Sequence, residues 1–260
     1  MNQIDAPYDL LGNIALVKFD GRTKASDKKR FALGLLKNKR SITTVLEKTG
    51  KFKGRLRKQE TKHIAGVKTK EVIYRENGCI FRFNIDKVYF SSRLSNERKE
   101  IAGMIRKGEK VLVMFAGAAP FSIVIARNSE ADVVYSNEIN KEANKYGRLN
   151  AELNKVKDKV IFFDGDIKKA ARKIKNKFDV IVMPRPQLKD SFLHEAFMLS
   201  KKKTMIFYYD FCKEEDIDKI VSKVKSEAAR YRHKIKILNV KKAGEIAAYR
   251  FRIRVDFKVL

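Results

Sequence analysis

The stretch Met114-Phe115-Ala116-Gly117-Ala118-Ala119-Pro120-Phe121-Ser122-Ile123 places four small residues between an apolar run and a helical one. Small side chains there let a ligand approach the backbone, and the N–H groups opening the next helix can face a carboxylate. Alone, the stretch reads equally as a tight packing turn, and it lacks the Gly-Lys-Ser/Thr ending of a P-loop. A second apolar run ends in Tyr135-Ser136-Asn137-Glu138. That puts a carboxylate about 20 residues after the small-residue turn, where an acid can accept hydrogen bonds from two ribose hydroxyls. A third run ends in Asp164-Gly165-Asp166. An acidic side chain there can accept from an adenine amino group or cap the following helix, and the two roles are compatible. A fourth ends in Met183-Pro184-Arg185-Pro186, where two prolines around an arginine make either a rigid cationic turn at a site mouth or a plain strand terminator.

Ahead of these runs lies Asp86-Lys87-Val88-Tyr89-Phe90-Ser91-Ser92-Arg93-Leu94-Ser95-Asn96-Glu97-Arg98. It gathers an aromatic pair, two arginines and a glutamate into a loop that opens a helix, and is unusually polar for a junction. Its bland reading is that Ser95 caps the helix and Glu97 favours its first turn.

The elements that must position these residues alternate. Strands are expected at 111 to 115, 133 to 136, 160 to 163, 180 to 183 and 205 to 209, and helices at 95 to 106, 121 to 126, 141 to 154, 167 to 175, 191 to 199 and 214 to 232. Short apolar strands separated by helices predict an α/β fold, a doubly wound, mostly parallel sheet with the ligand outside the strands' carboxyl ends. Two long β-like runs, 235 to 240 and 248 to 259, are expected to pair antiparallel at one sheet edge, an arrangement characteristic of class I methyltransferases. Before the sheet, a strand at 14 to 19, a basic helix at 26 to 39 and short strands at 42 to 46 and 71 to 74 suggest a small α+β domain. The turn Asn77-Gly78 and a shift in charge put the boundary there, giving domains at 1 to 80 and 81 to 260.

The whole chain, 260 residues, suits about two domains. Its 59 Lys and Arg against 31 Asp and Glu leave a net charge of +28, far from the matched Lys and Glu enrichment of heat adaptation. A polyanionic partner follows, nucleic acid foremost. Residues 1 to 80 hold 19 basic residues against 8 acidic ones and are the more basic part. The longest nearly apolar run, 111 to 126, contains a Gly and a Pro and falls short of the roughly 18 residues a membrane span needs. The first ten residues lack a secretory pattern. Cys79 and Cys212 stand apart without a C-x-x-C or His partner pattern, so no metal is expected and a reducing cytosol is.

With those stretches in hand, the chain resembles the archaeal and eukaryotic tRNA guanosine-37 N1-methyltransferase family, part of the wyosine-pathway superfamily. The resemblance covers nearly the whole chain and is carried by Tyr8-Asp9-Leu10-Leu11-Gly12-Asn13-Ile14-Ala15, the 86 to 98 block, Phe115-Ala116-Gly117 with Pro120-Phe121-Ser122-Ile123, and Glu138-Ile139-Asn140. It implies S-adenosylmethionine in the sheet site, held by Tyr89, Phe115, Gly117, Glu138 and Asp166. It also implies a cytoplasmic, monomeric enzyme acting on the anticodon loop of tRNA, tRNA-Phe foremost, without membrane or metal. The family's acid before the glycine turn is Val113 here, and its second glycine is Ala119. Its Asn-x-Pro after the fourth strand is Pro184-Arg185-Pro186, which resembles the archaeal branch that methylates carbon 7 of 4-demethylwyosine, with or without the N1 activity. The shared region starts at Tyr8, so residues 1 to 80 are expected to do more of the tRNA holding that an additional N-terminal domain does in many members.

By the same resemblance Glu97 is the base that removes the guanine N1 proton, and Arg57 donates to O6, with Arg55 a close competitor. Tyr89 lines the cofactor and base, Arg93 and Arg98 hold phosphate or base edges, and Pro184, Arg185 and Pro186 shape the slot for the larger ring. Two other readings stand beside this one. The sibling aminocarboxypropyl transferases share the pathway, but the Arg93-Leu94 pair and Phe121-Ser122-Ile123 look like the methylating branch. A non-catalytic basic RNA-binding scaffold would explain Val113 and Ala119, yet has no need of a ribose-holding acid at Glu138.

Overall fold

The computed structural model describes residues 5–50, 54 and 59–260. They form two compact units, Met1–Ser92 and Arg93–Leu260. No helix among the described residues is long and apolar enough to cross a membrane.

The first unit begins with β1 (Tyr8–Leu11) and β2 (Ile14–Val17), antiparallel across a Gly12-Asn13 turn. Gly12 has φ +58°, and a Cβ on it would lie 1.9 Å from the Ile73 carbonyl oxygen, so the turn admits no side chain there. Asn13 then ties the turn down, accepting from the Ile73 N–H at 2.7 Å and donating to the Glu71 carbonyl at 3.3 Å. A helix, α1 (Ala25–Asn38), crosses to β3 (Thr44–Lys48), parallel to β2, and β4 (Thr61–Gly66) closes the sheet in the order β1-β2-β3-β4. Ala15, Val17, Ala32, Val45 and Ala65 form its core. A separate antiparallel hairpin, β5 (Glu71–Glu76) and β6 (Cys79–Asn84), is paired up to Glu76 against Cys79. The Asn77-Gly78 turn, expected as the domain boundary, is therefore the tip of this hairpin. A turn dipeptide reads alike in a linker and a hairpin, and the division lies at Ser92/Arg93 instead.

The second unit runs α2 (Ser95–Met104), β7 (Lys110–Met114), α3 (Pro120–Asn128), β8 (Val133–Glu138), α4 (Lys141–Leu153), β9 (Val160–Asp164), α5 (Ile167–Ala170), β10 (Phe178–Met183), α6 (Leu193–Leu199), β11 (Ser200–Lys213), α7 (Ile217–Arg230), β12 (Ile235–Ala247) and β13 (Arg250–Val259). Its strands make one sheet in the order β12-β13-β11-β10-β7-β8-β9. Neighbours from β11 to β9 pair parallel, while β13 pairs antiparallel with both β11 and β12. The α/β fold and the antiparallel edge pair are as the sequence predicts. Apart from Lys110 and Asp179, strands β7 and β10 are apolar and buried on both faces because helices cover each side. The helix expected to run to residue 175 stops at Ala170. Lys168 with Arg172 and Lys169 with Lys173 would put like charges one turn apart in its continuation.

Candidate active site at the carboxyl ends of the sheet

The chain leaves β7 through three left-handed residues: Phe115 at φ +58°, Gly117 at +61° and Ala119 at +64°. Such alternation turns successive N–H groups toward one side and builds an anion-accepting concavity. For Phe115 and Ala119 the conformation costs about 1–2 kcal/mol each, and such strain persists where the surrounding structure fixes it. It is fixed here: the Ala116 N–H donates to the Asn137 carbonyl at 2.9 Å, and the Ala119 and Ile123 N–H groups donate back along the turn, each at 2.9 Å. Pro120, whose φ is preset for a first helical turn, then opens α3.

Glu138 ends the neighbouring strand and fills the concavity's edge. Its Oε2 accepts from the Gly117 N–H at 2.8 Å, and its Oε1 from the Asn140 N–H at 2.7 Å. Burial pushes this carboxyl above the usual range, opposed by the backbone N–H groups of Asn140, Gly117 and Ile139. The Gly117 and Asn140 N–H groups take one lone pair on each oxygen and leave acceptor capacity for a diol. The Glu138 carbonyl accepts from the Gly165 N–H at 2.8 Å, and Asn137 donates to the Phe163 and Gly165 carbonyls at 2.9 and 3.2 Å. The turn bearing Asp166 is thus tied beside Glu138. Asp166 caps α5, accepting from the Lys168 N–H at 3.0 Å. The Phe115 ring meets Phe192 edge-on at 4.9 Å.

Glu97 lies on the first turn of α2 and is buried, 6% exposed. The Tyr209 hydroxyl and Arg254 Nη1 donate to its Oε2 at 2.9 and 2.8 Å, and Lys241 Nζ lies 2.9 Å from Oε1. Arg98 beside it is also buried, its guanidinium 5.6 Å from the centre of the Phe121 ring. A head withdrawn from solvent in this way packs rather than meets an RNA phosphate, whereas Arg93 is exposed and donates to the Glu245 carbonyl at 3.3 Å. Tyr89 belongs to the first unit and is half-buried. Arg55 and Arg57 lie outside the described residues.

Among known proteins, a family described as the TRM5/TYW2 methyltransferase domain matches residues 72–238. The chain is 30% identical to the tRNA (guanine(37)-N(1))/4-demethylwyosine(37)-methyltransferase Taw22 of Nanoarchaeum equitans, over 97% of this chain and 99% of that one. It is 33% identical to the tRNA (guanine(37)-N(1))-methyltransferase Trm5b of Pyrococcus abyssi, over 97% and 74% of the two chains. The crystal structure of that Trm5b superposes with a TM-score of 0.86, and a complex of aTrm5 with tRNALeu, 26% identical, with 0.85 over 98% of this chain and 72% of the other. The chain belongs to the TRM5/TYW2 methyltransferase family.

Within that family frame the Pro184-Arg185-Pro186 turn has a structure its sequence did not announce. Arg185 is buried, 3% exposed, and pairs with the equally withdrawn Asp210. Its Nη1 donates to the carbonyls of Pro186, Leu188 and Asp190 at 3.2, 3.0 and 3.1 Å. Arg185 is thus a clip that folds the 184–190 loop onto β11, not a cation offered to substrate, while Pro184 and Pro186 stay half-buried at the loop's surface. A cationic residue between prolines looks the same in sequence whichever way it points. Sequence reasoning also passed over Asn137, Phe192, Tyr209, Lys241 and Arg254. Asn137 sat in a quoted motif, but the others lie far from the motifs and carry no local signal.

Proposed function

We propose that this chain transfers the methyl group of S-adenosylmethionine to the purine at position 37 in the anticodon loop of tRNA, at N1 of guanosine and also at C7 of 4-demethylwyosine. The observation that carries the reading is Glu138, poised on the Gly117 N–H at 2.8 Å at the carboxyl end of β8, in a chain aligned end to end with a relative named for both reactions.

The residues present fit the cofactor. Glu138 accepts from the ribose hydroxyls, the Gly117 turn admits the cofactor close to the backbone, and Phe115 walls the site beside Phe192. Asp166, which caps α5, is the acceptor assigned to the adenine amino group. When bound, S-adenosylmethionine supplies an electrophilic methyl on its sulfonium. Glu97 takes the proton from guanine N1, and by resemblance Arg57 neutralises charge on O6 and Tyr89 lines the base. Carbon 7 of the tricyclic base attacks before its proton leaves, so the second reaction leans less on Glu97. Pro184 and Pro186 shape the slot, and Arg93 holds phosphate. A loop nucleotide leaves its stack for such a site more readily than a paired one.

The deciding experiment incubates the chain and methyl-labelled cofactor with two tRNA-Phe substrates, bearing guanosine or 4-demethylwyosine at position 37, followed by nucleoside analysis. Label in both nucleosides is expected. Label in neither refutes the reading, and label in 1-methylguanosine alone removes its C7 half.

A further inference from the structure

Three neighbouring strands of the sheet converge on Glu97. Tyr209 on β11 and Arg254 on β13 occupy both lone pairs of Oε2, and Lys241 on β12 occupies one of Oε1. Among the described residues, those donors leave a single lone pair on Oε1. The same two cations serve Glu100, one turn along α2: Lys241 Nζ lies 2.5 Å from its Oε2, and Arg254 Nη2 donates to its Oε1 at 2.8 Å. Arg254 also grips Asp256 through Nε at 2.7 Å and Nη2 at 2.9 Å. Three carboxylates thus share two cations, and the cluster holds one surplus negative charge. Arg254 is fully buried and Lys241 about a third exposed.

We propose that Tyr209, Lys241 and Arg254 are positioning residues that clamp the Glu97 carboxylate with the remaining Oε1 lone pair turned to the substrate N1–H. The inference rests on the assignment of Glu97 as the base. The proton passes from N1 to Oε1 as the N1–methyl bond forms and the sulfonium–methyl bond breaks, so one positive and one negative charge vanish together. A carboxylate without the clamp samples other rotamers and reaches N1–H in only a fraction of encounters, which lowers the rate of transfer but not affinity. Burial, reinforced by the neighbouring Glu97, holds the Tyr209 hydroxyl well above the usual tyrosine range, so it stays a donor. Burial pulls the Lys241 ammonium down, but hydrogen bonds to Glu100 and Glu97 outweigh it and keep a cation there into alkaline solution.

The test compares wild type, Tyr209→Phe, Lys241→Met, Lys241→Arg and Glu97→Gln in single-turnover methylation of guanosine-37 tRNA, with tRNA and cofactor affinities measured separately. Tyr209→Phe and Lys241→Met are expected to slow transfer roughly tenfold, a fraction of what a general base contributes. Both affinities should stay within about twofold of wild type. The deficit should shrink from neutral to alkaline pH, as more of the guanine loses its N1 proton to solvent, and Lys241→Arg should restore most of the rate. Slow Glu97→Gln with wild-type Tyr209→Phe and Lys241→Met overturns the clamp and leaves the base in place. A fast Glu97→Gln overturns both. A deficit that pH does not alter and Lys241→Arg does not repair also overturns the clamp.

Discussion

Glu138 shows how one side chain can serve the fold and the cofactor in opposition. Its carboxyl lies above the ordinary range because burial outweighs three backbone N–H groups. A carboxyl raised in the folded state contributes stability that is complete below its ordinary value and is lost as pH rises through the raised one. Ionised Glu138 therefore weighs against the cofactor-free fold once pH exceeds the raised value. Cofactor binding runs the other way, since protonation removes acceptor capacity that the ribose hydroxyls need beside the backbone bonds. Calorimetric titration with S-adenosylmethionine should show affinity falling as pH drops through that raised value. Glu138→Gln should bind about 10- to 100-fold more weakly, as expected for losing charge-assisted bonds, with little dependence on pH. A pH-independent wild type would remove the ribose role from Glu138. Ala119 at φ +64° makes a related point, because the glycine usual in this family adopts that conformation without strain.

The elements were legible where their physics is local. Runs such as 111 to 115 and 180 to 183 are apolar throughout because helices cover both faces, so β7 and β10 announced themselves. Strand β1 has no buried position, and β4 and β6 mix exposed polar positions with buried ones, so none of the three carries an uninterrupted apolar run, and they were not anticipated. Position within an element was less legible still. Arg252, Arg254 and Asp256 alternate along β13 as a solvent-facing stripe would, yet all are buried. Nothing local distinguishes a charged stripe facing water from one facing Glu97 on a helix about 150 residues earlier. Such a buried cluster is fragile when halved: Arg254→Ala leaves Asp256 without its cation and Glu97 and Glu100 with Lys241 alone, and should lower stability by about 3–5 kcal/mol, read as an earlier denaturant midpoint. A midpoint shift under about 1 kcal/mol would mean that water or rearrangement satisfies them. In the first unit Gly12→Ala confronts both a left-handed φ and the Ile73 carbonyl. It should cost more than the roughly 1 kcal/mol of the conformation alone, since the carbonyl must move as well, with protease cleavage appearing first within residues 5–92. Unchanged cleavage would show that the turn can shift freely.

At the scale of the whole molecule, charge is the property that no single residue explains. Residues 1–92 hold 21 Lys and Arg against 9 acids, and 93–260 hold 38 against 22, so the excess is spread over both units rather than gathered at one site. Affinity for tRNA should then be dominated by displaced counterions and fall steeply with salt, the slope of log affinity against log salt counting the phosphates neutralised. A chain touching 6–10 phosphates would lose about 10³–10⁵ in affinity between about 50 and 200 mM salt. The structure divides the cations into two kinds for this purpose. Arg93 is exposed, whereas Arg185 and Arg254 are enclosed by their own carboxylates and carbonyls. Arg93→Ala should therefore reduce the slope by about one unit or slightly less. Arg185→Lys should leave it unchanged and act instead through the 184–190 loop, lowering methylation of 4-demethylwyosine more than affinity for tRNA. Fluorescence anisotropy across a salt series separates the two. An Arg185→Lys slope as shallow as that of Arg93→Ala would mean that the loop opens on tRNA and presents Arg185 to a phosphate.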